Sequence, residues 1–155
     1  MSRAAVLEVP AYGAAVGVRL LWDDAPRTCA AIWAALPIVK PAFHARRSGQ
    51  ELFFLADPFE EPGPENERME LAAGDVLFAH MPPSWPDDHE LYTRSERGLF
   101  DIAVMYGPDA LLRGPEAPVA GNVFGRVVDE DLATLAEICT RMWLEGCEDI
   151  ALRPA

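Results

Sequence analysis

The sequence predicts a mainly β fold with two helices, its strands rolled into a closed or nearly closed barrel that the helices cap. Three observations carry this reading. Short β-type runs recur along the chain, separated by Gly, Pro, Asp and Ser turn signals about every ten residues. Only two stretches space their apolar residues as a helix does. No internal repeat and no linker interrupts the pattern, so residues 1–155 read as one domain.

The elements follow in order. The runs "AVLEV" and "AVGVRLLW" form a first hairpin around Pro10 and Tyr12-Gly13. Asp23-Asp24-Ala25-Pro26 ends that strand and opens a helix, with Asp24 or Ala25 as the cap and Pro26 in the first turn. Cys29, Ile32, Trp33 and Leu36 line one face of this helix, and Pro37 stops it. Trp33 on that stripe reads as core. "PAFHARRSGQELFFLAD" reads as a hairpin with a two-residue turn at Ser48-Gly49. That turn pairs Arg46 with Glu51 and His44 with Phe53. It places Phe43, Ala45, Leu52 and Phe54 on a core face and His44, Arg46, Glu51 and Phe53 on the other. "DPFEEPGPENE" is a loop, and "MELAAGDVLFAHM" is a strand pair or a strand with a turn at Ala73-Gly74-Asp75. The proline-rich "PPSWPDDHELYTRSERG" reads as a binding loop or lid. "LFDIAVMYG" is a strand with Phe100, Ile102, Val104 and Tyr106 on one face. From Asp129 to Leu144 runs the second helix. Leu132, Leu135, Ile138, Cys139 and Met142 form its stripe, and Asp129, Glu130 and Asp131 sit in its first turn. "EDIALR" is the last strand.

Charge and composition narrow the function. The formal charge is -12, from 25 acidic and 13 basic residues, a field that repels nucleic acid and anionic lipid. Cys29, Cys139 and Cys147 show no metal spacing and read as reduced thiols of a cytoplasmic protein. The apolar run at the N-terminus is too short for a signal peptide, and no run approaches the ~18 apolar residues of a membrane helix. Lysine occurs once, at Lys40, against twelve arginines, as GC-rich bacterial coding favours. No phosphate loop, nucleophile elbow or dinucleotide fingerprint is present. His80, Asp87, Asp88 and His89 lack a recognised ligand spacing, so neither metal nor cofactor is expected.

The segment Val123-Phe124-Gly125-Arg126-Val127-Val128 resembles part of the cyclophilin motif His-Val-Val-Phe-Gly-x-Val. Gly121 stands where that motif has its histidine. Phe43-His44 fits the start of the proline-isomerase strand Phe-His-Arg, but Ala45 follows, and nothing matches Gln-Gly-Gly. A closer resemblance is to bacterial cyclophilin-like proteins of largely uncharacterised function. It rests on Trp33-Ala34-Ala35-Leu36-Pro37, Arg47-Ser48-Gly49-Gln50-Glu51, Gly74-Asp75-Val76 and Asn122-Val123-Phe124-Gly125-Arg126, in that order. Some members of natural-product pathways resemble Pictet–Spenglerases, which join an aryl-ethylamine such as tryptophan to a carbonyl compound to give a β-carboline. The resemblance implies a cyclophilin-like closed barrel and, as an expectation, that chemistry.

A Pictet–Spengler site needs an aromatic pocket, a cation for the substrate carboxylate and a base for the ring proton. Glu51, flanked by apolar residues, is the candidate base, and His44 the candidate proton shuttle. Arg46 or Arg47 is the carboxylate clamp, because a guanidinium binds it bidentately. Phe53, Trp85, Tyr106 and Phe124 are the candidate aromatic contacts, with Trp85 on the lid. The expected partner is a small aromatic, carboxylate-bearing molecule, and a homodimer stays open. Peptidyl-prolyl isomerisation and a non-catalytic ligand-binding domain are the alternatives.

Overall fold

A computed structural model describes residues 3–83, 96–108, 110–114 and 117–155. Alternation along each strand decides which side chains point into the barrel. In β1 (Ala4–Val9) these are Ala5, Leu7 and Val9, and in β2 (Ala14–Leu20) they are Val16, Val18 and Leu20. The two strands pair antiparallel, with Ala5 opposite Val18 and Leu7 opposite Val16. Their turn is a 3-10 turn over Pro10–Tyr12. Gly13 closes it at φ 60°, a left-handed conformation that glycine adopts without steric cost.

The remaining walls are β3 (Ile38–His44), β4 (Glu51–Ala56), β7 (Asp75–Met81), β8 (Leu99–Met105), β10 (Gly121–Val127) and β11 (Asp149–Pro154). Short β5 (Glu67–Arg68), β6 (Glu70–Leu71) and β9 (Ala110–Leu111) lie between them in the chain. Neighbours run β2-β1-β11-β3-β4-β8-β7-β10, and a further β10–β2 pairing closes eight antiparallel strands into a barrel. A bulge between Val123 and Gly125 bends β10, and Phe124 enters the interior there. The interior is solid: Phe54, Phe100 and Phe124 are each at most 1% exposed.

Both helices feed that core. In α1 (Pro26–Ala35), Cys29 and Ile32 are fully buried, while Trp33 is half-buried and meets Trp22 edge-on at 6.5 Å. Ala25 occupies the cap position, so the cap carries no side-chain hydrogen bond of its own. Glu65 supplies it from the loop before β5. Its Oε2 accepts from the Thr28 N–H at 2.8 Å and the Thr28 hydroxyl at 2.9 Å. In α2 (Leu132–Glu145), Leu135, Ile138, Cys139 and Met142 are buried. Burying the three large ones, Leu135, Ile138 and Met142, contributes roughly 5–9 kcal/mol before entropy is counted. The acids Asp129–Asp131 precede α2 in a 3-10 turn rather than filling its first turn. The backbone N–H of Gly17 holds Asp131 Oδ2 at 2.7 Å, which takes the chain out of helical register there.

The outer side of β4, β8, β7 and β10 is also covered. Leu71, Leu77, Ala79, Ala103, Met105, Ala110, Leu112 and Val123 form a second apolar cluster there. As a result β8 is buried along its whole length, on both faces.

The β3–β4 hairpin departs from the expected register by one residue. His44 pairs with Leu52 and Phe43 with Phe53. His44 therefore faces the interior, and Phe43 shares the outer face with Phe53, stacked at 5.5 Å between ring centroids. A tight primed turn would need positive φ at Ser48, alone or together with Gly49, and only Gly49 has it, at 92°. Residues 45–50 form a wider loop instead, because Ser48 is drawn inward to bond the 111–113 segment.

Candidate functional site

Ser48 anchors the site. It is 6% exposed, and its hydroxyl accepts from the Arg113 backbone N–H at 3.1 Å and donates to the Glu51 carboxyl. Its carbonyl accepts from the Leu111 N–H at 3.3 Å. These bonds pin the hairpin loop under the segment after β8. They also hold Glu51, the first residue of β4, against the outer wall, where it is 3% exposed.

A second carboxyl shares that face. On β8, Met105, Ala103 and Asp101 stand opposite Glu51, Phe53 and Leu55. Asp101 is 3% exposed. The position between the two acids on β8 is Ala103, fully buried in the second apolar cluster. Glu51 Oε2 and Asp101 Oδ1 are buried without a hydrogen-bond partner. Buried polar atoms are normally paired, so two unpaired carboxyl oxygens on one face mark it as a candidate site. Burial pushes the Glu51 carboxyl above the usual carboxylate range, and the Ser48 hydrogen bond offsets part of this. Burial pushes Asp101 well above its usual value, and the charge of Glu51 adds to the effect.

Arg46 and Arg47 are both exposed in the hairpin loop next to Ser48. Phe53 is half-buried between the two acids and packs against the second cluster. Glu51 and Phe53 thus share the outer side of the wall, and Arg46 and Arg47 lie in the loop that leads into it.

His44 and Tyr106 lie on the other side. His44 Nε2 and the Tyr106 hydroxyl are 2.5 Å apart, and His44 Nδ1 is 2.9 Å from the Ala45 carbonyl. A carbonyl only accepts, so Nδ1 carries the hydrogen, and in the neutral ring Nε2 accepts from the phenol. Burial pushes the Tyr106 hydroxyl up, so it stays protonated in this contact. Trp143 of α2 covers the imidazole at 4.4 Å between centroids. Phe124 is fully buried in the core and offers no accessible ring face. Trp85 lies outside the described residues.

Asp101 and Ser48 were not among the expected site residues. Asp101 has a signal in the sequence, a lone acid inside the apolar run "LFDIAVMY". Ser48 has none beyond its place in a turn. Elsewhere, an open cleft of about 420 Å³ lies between α1 and the 59–62 loop, lined by Arg27, Ala30, Ala34, Phe59 and Glu60 among others. It contains none of the expected site residues.

A family model described as a protein of unknown function, DUF3830, matches residues 7–153. The chain belongs to the DUF3830 family. Two solved structures share the DUF3830 chain's fold. McbB in complex with tryptophan is 22% identical at a TM-score of 0.69, covering 96% of this chain and 44% of McbB. The chain therefore spans less than half of McbB. The solution structure of the hypothetical protein AF2241 from Archaeoglobus fulgidus is 20% identical at a TM-score of 0.58, covering 99% of this chain and 95% of AF2241. No curated protein matches the chain. The likeness establishes a cyclophilin-like closed barrel. Among the described residues, no helix is long and apolar enough to cross a membrane.

Proposed function

We propose that this protein is a small-molecule enzyme that catalyses a Pictet–Spengler condensation of a tryptophan-like aryl-ethylamine with an aldehyde or keto acid. The observation that carries the reading is Glu51: a carboxyl buried in an apolar wall, fixed through one hydrogen bond from Ser48, with Oε2 left without a partner. A carboxylate so placed has the raised basicity that removal of a carbon-bound ring proton requires. The shared fold with McbB, which was solved with tryptophan, supports an aromatic amino acid as the ligand class.

The amine and carbonyl compound lose water to form an iminium ion. The electron-rich ring carbon attacks the iminium carbon, forming the new C–C bond. Glu51 takes the proton from that ring carbon, which restores aromaticity. Arg46 and Arg47, exposed beside the loop, hold the substrate carboxylate, and Phe53 packs against its ring. His44 and Tyr106, across the wall, brace β3 and β8 rather than meet the substrate. The protein is cytoplasmic in this reading.

Incubating the protein with tryptophan and a panel of aldehydes and keto acids, with mass-spectrometric detection of tetrahydro-β-carbolines, tests the proposal. Product above the uncatalysed rate is expected, falling about 10²–10⁴-fold in Glu51→Gln. No product above background from any pair would end it.

A further inference from the structure

We propose that Asp101 is the positioning partner of Glu51, and that the two carboxyls act as one unit that carries a single negative charge where the enzyme works. This rests on Glu51 acting as the base of the proposed reaction. Nothing in the sequence motifs assigns Asp101 a role.

The geometry sets both acids on one buried face, with the Phe53–Ala103 pair between them. Glu51 starts β4, and Asp101 sits four residues before its partner Met105 on β8, on the same outer face. Both are 3% exposed, and each ends in an oxygen with no hydrogen-bond partner. Neither acid has an ion pair among the described residues. The side chains roofing that face, from Leu71, Leu77, Ala110 and Leu112, are apolar. The ionisable groups around that face are Asp75 on β7, buried and ion-paired to Arg126 of β10 at 2.8 Å, and Arg46 and Arg47 on the hairpin loop, Arg113 after β9 and Glu70 on β6, the last four exposed to water. Among the described residues no buried cation neutralises the pair, the Arg126 guanidinium being taken up by Asp75, so two negative charges there would repel each other at low dielectric.

The order of ionisation follows from the surroundings. Ser48 donates a hydrogen bond to Glu51, which favours its charged form. Asp101 has no such donor, and the charge of Glu51 acts directly on it. Glu51 therefore gives up its proton first, and Asp101 keeps its own. The single charge left on Glu51 matches the single positive charge of an iminium substrate. When Glu51 takes the ring proton the unit becomes neutral, and release of that proton to water resets it.

Carboxyl-carbon NMR of the full chain, with labelled Glu and Asp, tests this across the acid-to-alkaline range. Two late steps are expected in the wild type, Glu51 before Asp101. Glu51→Gln should lower the Asp101 midpoint by roughly one pH unit or more, as interacting sites require. Asp101→Asn should remove the later step and leave the earlier one. A merely structural Asp101 would titrate alike with and without the Glu51 charge, so an unmoved midpoint in Glu51→Gln overturns the proposal. An ordinary Asp101 midpoint in the wild type, which needs no variant, also overturns it. The same wild-type sample is assayed for β-carboline. Coupled steps without product support the unit and overturn the condensation instead.

Discussion

Replacing Glu65 by Ala should cost far more stability than its place in a loop implies. Helix α1 begins at Ala25–Pro26, which offers no capping side chain, and Glu65 fills that gap from 37 residues away. It accepts four hydrogen bonds: Thr28 N–H at 2.8 Å, Thr28 hydroxyl at 2.9 Å, Arg27 Nε at 3.1 Å and Arg27 N–H at 3.2 Å. The two to Thr28 matter most, because Thr28 is fully buried. Losing the carboxylate leaves its N–H without a partner. A lost cap costs ~0.5–2 kcal/mol, and an orphaned buried donor ~1–3 kcal/mol. Together these give about 3 kcal/mol for Glu65→Ala, or a drop in Tm of roughly 6–12 °C for a chain of this size. The Arg27 side chain is 62% exposed, so its ion pair is worth less than about 1 kcal/mol. Urea unfolding of Glu65→Ala, Glu65→Gln and Arg27→Ala at neutral pH separates the two contributions. The expected order of loss is Glu65→Ala, then Glu65→Gln, then Arg27→Ala. Equal losses for Glu65→Ala and Arg27→Ala would refute the capping argument. Acid adds a check. Burial alone would raise Glu65, but the bonds from Thr28 and Arg27 outweigh it and hold the carboxyl below its usual value. Its stabilisation is thus present above the unfolded value and fades as pH falls through the folded one.

Two further outcomes follow from the buried groups. Glu51 and Asp101 are raised in the folded state, so their favourable contribution is full below the ordinary carboxylate range and is lost as pH rises through the folded values. Chemical unfolding at increasing pH should therefore show Asp101→Asn gaining on the wild type, and a constant difference would contradict the assignment. Burial pushes the thiols of Cys29 and Cys139 to about 11 and about 12, whereas Cys147 is exposed. A thiol reagent should label Cys147 alone in the native protein and all three cysteines in denaturant; rapid native labelling of Cys139 would show that α2 opens readily.

The barrel was legible because its strands alternate. The stripe of α2 and the inward set Phe100, Ile102, Val104 and Tyr106 stand where period and parity place them. The β3–β4 register was not legible. Ser48-Gly49 has the composition of a tight turn, but Ser48 finds partners in the 111–113 segment, far along the chain, and a local pattern cannot report them. The resulting one-residue shift moves His44 to the inside and separates it from Glu51. Asp101 was hidden for a related reason. A strand buried on both faces reads as one apolar run, and the roof that buries its outer face comes from β6, β9 and the segment after them. Glu51 stood out through its apolar neighbours and its expected pairing with Arg46, but its burial was not legible, because the roof over that face comes from distant segments.

Closure of the barrel has a consequence for how the chain comes together. The β10–β2 join has three paired positions, Gly125 with Leu20, Arg126 with Arg19 and Val127 with Val18, against six between β7 and β8. Its ends are fastened by Leu21 N–H to the Phe124 carbonyl at 2.8 Å and by Val128 N–H to the Gly17 carbonyl at 3.0 Å. Asp131 then clasps Gly17 from 114 residues along the chain. So distant a join carries a large loop-closure cost and forms after the local hairpins. Pulse-labelled amide exchange during refolding should show Leu21 and Val128 protected later than the β7–β8 amides, and simultaneous protection would argue against a late join. Until it forms, the molecule is an open sheet whose two outer strands each present unpaired N–H and C=O groups to any other chain. The net charge of -12, which at first only argued against anionic partners, then serves a second purpose: it keeps half-closed molecules from zipping onto one another.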